Sequence, residues 1–591
     1  MTFSVPIRDI RYALDHMADF GSINDAYADL SEDLVSAILE EMGKFCDQVI
    51  SPLNVVSDAN GATLQNGVVR TTPGFKEAYE QYVAGGWNSL SFPEDVGGQG
   101  LPSTLGVVLM ESVNAGSMAF GLCPMLTTGA IKAIQHAGDD HQKKLYLQKM
   151  ISGEWTGAMN LTEPQAGSDL SGIRTKAEPI GDGRYKISGQ KIYITYGDHD
   201  MTDNVVHLVL ARLPDAPEGT GGISMFLVPK VHVNDDGTLG AKNDVSCVGL
   251  EEKLGIHGSP TCVMAFGEAG ECYGTLLGEE NRGLKNMFVM MNSARLDVGM
   301  QGVGVAEAAY QHALAYALDR KQGRPIGVKT GDQVSLYEHP DIRRMLFTMK
   351  SQIEAARGIC YANAVAYDMA RVGENDEERQ KARALEGLLT PISKAWGSDR
   401  AVEITSLGVQ VHGGMGFIEE TGAAQFMRDA RITPIYEGTN GIQAMDLVGR
   451  KLQGDGGAAA EHFISTVKEN IAALKAAGGD AAKIGDRLEA ATDALAESTK
   501  WILATAKTDQ ESVLAGATPY LKQFGNVAGG HFLAKGALSV ALSGDKEFAA
   551  AKLQLALFFA ENFLTEAVGL TAAVTAGAAP LSWIDPAHLN A

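Results

Sequence analysis

Cysteine is scarce in this 591-residue chain: six residues, Cys46, Cys123, Cys247, Cys262, Cys272 and Cys360, with no CxxC pair among them. That excludes a disulfide framework or a zinc ribbon as the organising device and points to buried thiols in a reducing compartment. Positive charge is also short, with 49 Lys and Arg against 72 Asp and Glu and a formal net charge of -23. A long phosphate backbone would meet net repulsion, so nucleic acid is not an expected partner, although a few arginines or helix N-termini can still hold a small anion. The start, MTFSVPIRDIRYALDHMADF, carries Asp9, Asp15 and Asp19 and no basic region ahead of an apolar run, unlike a signal peptide. No uninterrupted apolar run of about 18 residues occurs; the best candidate, Leu553 to Trp583, is broken by Glu561, Glu566 and Pro580. The expectation is a soluble cytoplasmic protein with no membrane partner. GxSxG, HExxH, P-loop and EF-hand patterns are missing, and no metal site is expected.

What is present is an ordinary globular balance, 45% hydrophobic and 20% charged, over a length that holds about three to five domains. Apolar residues at three-and-four spacing in DLVSAILEEMGKFCDQVI and FKEAYEQYVAGGW predict helices within residues 1–155. FPEDVGGQG (Phe92 to Gly100) is too rich in glycine for a helix and is expected to turn close to another backbone. Over 156–280, short β-branched runs such as YKISGQKIYIT, DNVVHLVLARL and GISMFLVP predict an antiparallel β-domain. Long periodic helices return over 281–452, GDGG (Gly454 to Gly457) reads as a linker, and 458–591 reads as Ala-rich helix without a catalytic constellation. The expected fold class is α+β, multidomain. GVGVAE (Gly302 to Glu307) half-matches a dinucleotide fingerprint but lies inside a helical run, where small residues serve close helix packing. His257 and His412 lack partners at metal spacing and read as hydrogen-bonded loop residues.

Two irregular stretches concentrate reactive groups. NLTEPQAGSDLSG (Asn160 to Gly172) gathers short hydroxyls and backbone amides able to grip a polar ring, though composition alone favours a plain turn. RITPIYEGTNGIQ (Arg431 to Gln443) isolates one carboxylate, Glu437, which alone reads as a solvated loop charge. Joined by YIT (Tyr193 to Thr195), KLGIHGSPT (Lys253 to Thr261) and QVHGGMGF (Gln410 to Phe417), these segments resemble the signatures of the flavin-dependent acyl-CoA dehydrogenases. FPEDVGGQG resembles that family's N-terminal loop, and the likeness runs in order over about residues 35–450.

The resemblance implies an N-terminal helical domain with a leader segment (1–155), a middle antiparallel β-domain (156–280) and a four-helix-bundle domain with the catalytic loop (281–452). Residues 458–591 resemble the extra helical domain of a longer bacterial subclass. The implied reaction is α,β-desaturation of a short acyl-CoA with FAD as cofactor: a base takes the α-proton, enolate charge is stabilised, and the β-hydrogen leaves as hydride to flavin N5. Glu437 matches the base. The position some relatives use instead is Ala294 here, which cannot abstract a proton. The Glu437 N–H, next to Gly438 of the substrate-binding set, would hold the thioester carbonyl. Flavin contacts match Thr162, Gly167, Ser168, Tyr193, Thr195, Thr439 and Asn440, with Tyr193 where the family usually has tryptophan. Arg320, Gln410 and Gly414 match residues that reach the flavin's pyrophosphate and adenosine across a subunit interface, although RKQGR departs from the family's RxxFG. Ser168, Asn292 and Arg295 match thioester and pantetheine contacts, and Met290, Met291 and Phe417 are candidates for the pocket floor. An electron-transferring flavoprotein as acceptor and a homodimer are further implications. The alternatives are a dehydrogenase of short- or medium-length straight-chain acyl-CoA, an oxidase passing electrons to O₂, and a low-turnover, nucleic-acid-binding flavoprotein; the last needs a basic tail, and the tail here carries acids throughout.

Overall fold

A computed structural model describes residues 3–27, 30–541, 545–582 and 584–589. Trp583, where the longest apolar candidate ends, lies outside the described residues. The chain forms two compact units: Glu41–Asp297, and Val5–Glu40 together with Val298–Ala591.

In the first unit, helices α1 (Ser103–Gly116), α2 (Met118–Ala137) and α3 (Asp140–Ile151) precede the sheet. Helix α3 starts at a capping box: Asp139 Oδ1 accepts from the Gln142 N–H at 2.7 Å and Gln142 Oε1 accepts from the Asp139 N–H. The Gln142 amide then donates to Thr275 Oγ1 and the Leu276 carbonyl, tying the helix to the sheet. FPEDVGGQG turns tightly as expected: a Cβ on Gly98 would lie 1.9 Å from the Phe92 carbonyl oxygen, an approach only glycine allows.

The main sheet comprises β1 (Thr156–Asn160), β2 (Lys176–Gly181), β3 (Arg184–Thr195), β4 (Val205–Arg212), β5 (Ile223–Pro229), β6 (Val245–Leu250), β7 (Thr261–Phe266) and β8 (Tyr273–Leu276). Its order is β6-β7-β3-β8-β5-β4-β1, with β2 pairing both β3 and β4. The pairings are antiparallel except β1 with β4 and the short contact of β2 with β4. A parallel pair needs a long crossover, and residues 161–204 supply it between β1 and β4. Ile187, Val205, Val209, Phe226, Cys262 and Phe266 form the buried core of this sheet.

The second unit is helical: the latter part of α4 (Gly283–Asp319), then α5 (Pro340–Val372), α6 (Asp376–His412) and the short α7 (Asn440–Asp446). Beyond the GDGG turn lie α8 (Ala458–Ala477), α9 (Gly479–Thr505), α10 (Ala517–Val540), α11 (Lys546–Phe559) and α12 (Thr565–Thr575). GVGVAE is helix-packing sequence: a Cβ on Gly302 would stand 2.9 Å from the Gly397 carbonyl oxygen of α6. The leader helix, Ile7–Tyr12, enters this unit through charge. Asp9 pairs with Lys350 and Lys552 at 2.7 Å each, Lys350 and Arg357 pair with Glu307, and Lys552 pairs with Glu354. Three acids thus meet three cations in this cluster, and the leader supplies one of the acids. The run Lys546–Thr575 is long and apolar enough to cross a membrane by length and composition alone, with mean hydropathy 1.3. Ala556, Phe559, Leu564, Ala567 and Val574 give it a buried stripe.

Candidate active site

The proposed flavin-side residues lie in the first unit. The loop after β1 is pinned from below by Glu163, whose carboxylate accepts from Lys191 Nζ (2.8 Å), Thr175 Oγ1 (2.6 Å) and the Arg174 and Thr175 N–H groups. Both side chains of the Glu163–Lys191 pair are buried. Burial works to raise the Glu163 pKa, but the Lys191 charge and these hydrogen bonds outweigh it and bring it down to about 2. The Ile192 N–H donates to the Thr162 carbonyl at 3.0 Å, tying the loop to strand β3. Gly167 and Ser168 are exposed, and a Cβ on Gly167 would meet nothing within 4 Å, leaving its backbone open to a ligand.

Tyr193 is the unusual residue of this half. The β3–β7 register shifts between Lys191 and Ile194, and Tyr193 in that interval has φ 60° with 59% of its surface exposed. A bulge of this kind re-aims a side chain, and an aromatic residue in the left-handed region is strained. Thr195 is half-buried and pairs with Thr261. Ile256 of KLGIHGSPT also has a left-handed backbone, φ 49°, which is a steric outlier for a β-branched side chain. An exposed aromatic beside an open-amide, hydroxyl-bearing loop fits a flat polar ring, so these residues suit a flavin.

Asn292 and Arg295 occupy one turn of α4, with Arg295 Nη1 donating to Asn292 Oδ1 at 3.3 Å; Arg295 and Ala294 are buried. Sequence reasoning missed a neighbour. Asp297, one turn on from Ala294, is 7% exposed, and burial raises its pKa to about 6 against the opposing pull of Lys132. A carboxyl so displaced is a rival candidate for acid–base work.

The proposed base loop and the proposed nucleotide-side residues lie in the second unit. Glu437 has φ 53°, a left-handed conformation that glutamate seldom adopts. Three tethers hold it there. The Asn440 N–H donates to the Pro434 carbonyl at 3.0 Å and closes the loop across Glu437. The half-buried Tyr436 donates its hydroxyl to Gln301 on α4. The Asn440 side chain joins the loop to α6: its oxygen accepts from Lys394 Nζ at 2.9 Å, and its amide donates to the Ala395 carbonyl (3.1 Å) and Asp399 Oδ1 (2.7 Å). Thr439 caps α7, accepting from the Ile442 N–H, and the Gly438 carbonyl accepts from Gln443. Asn440 therefore spends its amide on the protein and positions the loop, a role the sequence did not disclose.

Gln410 and Gly414 are exposed at the end of α6, and Arg320 is exposed, donating to Gln322 Oε1 at 3.2 Å. The turn is braced by His412, whose ring stacks between His312 and Tyr316 with centroids 4.5 Å from each and whose Nδ1 bonds the Gly408 carbonyl. Burial lowers both histidines, His312 to about 4, so both are neutral near pH 7. Of the floor candidates, Met290 is buried beside Gly129, while Phe417 is 83% exposed and Met291 half-buried.

Comparison with known proteins decides the family. Models of the acyl-CoA dehydrogenase N-terminal, middle and C-terminal domains match residues 34–154, 158–269 and 281–452. The chain belongs to the acyl-CoA dehydrogenase family. An acetyl-CoA dehydrogenase C-terminal-like model covers the extra helices, residues 463–585. The chain is 48% identical to a 3-methylmercaptopropionyl-CoA dehydrogenase of Ruegeria pomeroyi, over 96% of this chain and 97% of that protein. It is 38% identical to a butyryl-CoA dehydrogenase of Syntrophomonas wolfei over 79% and 78% of the two chains. An acyl-CoA dehydrogenase from Bacillus anthracis, solved with FAD, shares the fold at TM-score 0.73 and 22% identity over 93% of this chain and 88% of that one. This acyl-CoA dehydrogenase is an FAD-dependent oxidoreductase acting on an acyl-CoA.

Proposed function

We propose that Glu437 is the base that removes the α-proton of a short acyl-CoA, and that 3-methylmercaptopropionyl-CoA is the preferred substrate. The observation that carries the first part is the strained Glu437 backbone, held by Pro434, Gln301 and Asn440 in a loop whose motif resembles the family's base loop. Strain of this kind persists only where surrounding structure over-determines it, and it concentrates at working residues. The Glu437 carboxylate takes and holds the proton while its backbone N–H stabilises charge developing on the thioester oxygen. Asn292 and Arg295 orient the thioester and pantetheine, and Ser168 adds a hydroxyl from the loop after β1. Thr162, Gly167, Tyr193, Thr195 and Thr439 would hold FAD, with Arg320, Gln410 and Gly414 at its nucleotide end. FAD, when bound, supplies the hydride acceptor.

The substrate reading rests on likeness to the Ruegeria pomeroyi protein along nearly its whole length. A thioether differs from a methylene mainly in polarizability and bond length, so preference over butyryl-CoA is expected to be about 1–3 kcal/mol. A kcat/KM panel of butyryl-, hexanoyl-, isobutyryl- and 3-methylmercaptopropionyl-CoA checks this; a hundredfold preference for a branched or longer chain would overturn it.

An electron-transferring flavoprotein as acceptor, a homodimer and a cytoplasmic location complete the proposal. Exposed Met415, Phe417, Ile418 and Ile326, near Gln410, Gly414 and Arg320 in sequence, support a partner subunit covering that end. Anaerobic stopped flow tests the core of the proposal: Glu437→Gln should abolish flavin reduction by substrate, and a retained rate would remove Glu437 as the base.

A further inference from the structure

The geometry points to a catalytic duty for the extra helical domain: through Asn526 and Trp396 it braces the turn of α6 that holds the base loop. This rests on Glu437 being the base.

The turn Ser393–Asp399 is gripped from three directions. On one side Lys394, the Ala395 carbonyl and Asp399 hold the Asn440 side chain, as described. On a second, α4 presses close through glycine: a Cβ on Gly299 would sit 2.7 Å from the Ser393 carbonyl oxygen and one on Gly302 2.9 Å from that of Gly397. On the third lies the extra domain. Trp396 is fully buried, and its Nε1 donates to Asn526 Oδ1 of α10 at 2.9 Å. Asn526 is itself fixed, its amide donating to the Phe563 carbonyl at 3.1 Å. Helix α10 reaches the indole by giving up side chains: a Cβ on Gly525 would stand 2.2 Å from Trp396 Cδ1, and one on Gly529 3.5 Å from its far edge. Lys522, one turn earlier on α10, places a charge that acts on Asp399, an Asn440 partner.

Asn440 has two N–H groups and one carbonyl, all engaged with this turn. A shift of the turn therefore moves Asn440, and with it the Pro434–Asn440 closure that sets Glu437. Indole, Asn526 and the glycine face of α10 oppose such a shift from behind. Displacing a base by a fraction of an ångström slows proton abstraction more than it weakens substrate binding. Lys394, Trp396 and Asn526 are positioning residues in this scheme, acting through Asn440.

The test is single-turnover flavin reduction in the full-length holoenzyme, which separates the limiting rate from the apparent substrate Kd. Trp396→Phe keeps a smaller aromatic ring and removes the donor; Asn526→Leu removes the acceptor together with the amide that holds the Phe563 carbonyl. Each should lower the limiting rate by about five- to tenfold with Kd within about twofold, and the double variant should fall short of the product of the two losses, because the Trp396–Asn526 bond is common to both. Lys394→Met should cost roughly a hundredfold in the same rate. Arg487→Ala, which breaks a surface pair with Glu561 inside the extra domain, should leave the rate unchanged. If Trp396→Phe and Asn526→Leu lower the thermal midpoint while the limiting rate stays at the wild-type value, the domain only stabilises and the inference fails. Glu437→Gln measured alongside separates the two ideas: a surviving rate there removes the base assignment, whereas a lost rate there with wild-type rates in the brace variants removes only the brace.

Discussion

On the β-domain side a buried carboxylate–ammonium pair, Glu163 with Lys191, fixes the backbone that leads to Tyr193; on the helical side a neutral amide, Asn440, fixes the backbone that carries Glu437. Both arrangements end at a residue held in the left-handed region. They differ in what titrates. The first anchor is an ion pair that loses its charge in acid. The second joins loop to helix through the Asn440 amide, whose own atoms do not titrate, although its partners include the Lys394 ammonium and the Asp399 carboxylate.

Exchanging the groups breaks the comparison most sharply at its chemical end. Glu437→Gln is expected to lower the rate of flavin reduction by roughly 10²–10⁴-fold, the span a general base contributes. Asp297→Asn is the necessary partner experiment, because Asp297 is a buried carboxyl with a pKa displaced toward neutrality close in sequence to the proposed substrate contacts Asn292 and Arg295. Its rate should stay close to wild type. If the two variants exchanged behaviours, Asp297 would be the base and the strained loop would need another explanation.

The ionic anchor should fail next. Glu163→Gln leaves Lys191 buried without its counter-charge, and a broken buried pair costs about 3–5 kcal/mol. The loop bearing Thr162, Gly167 and Ser168 should loosen, read as a lower thermal midpoint and as FAD release followed by fluorescence. The pH direction follows from the depressed pKa. Glu163 titrates near 2 when folded against an ordinary 4.5, so its contribution is present above 4.5 and drains away as pH falls toward 2. Wild type should lose that share of stability across this window, and Glu163→Gln should lack it.

Asp297 runs the other way. Burial raises it to about 6 from an ordinary 3.8, so the stability tied to its neutral form is complete below 3.8 and is lost as pH rises through 6. Asp297→Asn should therefore be more stable than wild type above pH 6, by up to about 3 kcal/mol, with the difference vanishing below pH 4. Denaturant midpoints at pH 4 and pH 7.5 check it; equal gaps at both values would mean the carboxyl is not penalised by burial.

How much of this was readable beforehand follows the range of the interactions. The helix–sheet–helix order is a local pattern, and it was legible. GVGVAE as packing sequence was legible too, because small residues without a preceding strand have few other uses. The anchors were not. Glu163 and Lys191 lie 28 positions apart, Lys394 and Asn440 46, and Asp9 meets Lys350 across 341. Periodicity carries no information over such distances. Nor does any local rule give tyrosine, isoleucine and glutamate a positive φ, since composition argues against it in each case. Asn440 shows the cost: its motif position suggested a ligand contact, and only its partners reveal a residue that holds the loop.

Tyr193 gives the smallest and most discriminating test, because two effects of opposite sign fall on one residue. A non-glycine left-handed residue costs roughly 1–2 kcal/mol, and glycine removes that cost while adding chain entropy to the unfolded state. Tyr193→Gly should thus leave the apo-protein's stability within about 1 kcal/mol of wild type. The same change removes the exposed ring offered to a flavin, so FAD affinity should fall by about tenfold, in line with the energy of an aromatic stacking contact. The strain at Tyr193 would then be the means by which β3 turns its ring outward. Should stability fall sharply while FAD binding is untouched, Tyr193 would be a packing residue of the β3–β7 bulge, and the proposed flavin contact would rest on Thr162, Ser168 and Thr195 alone.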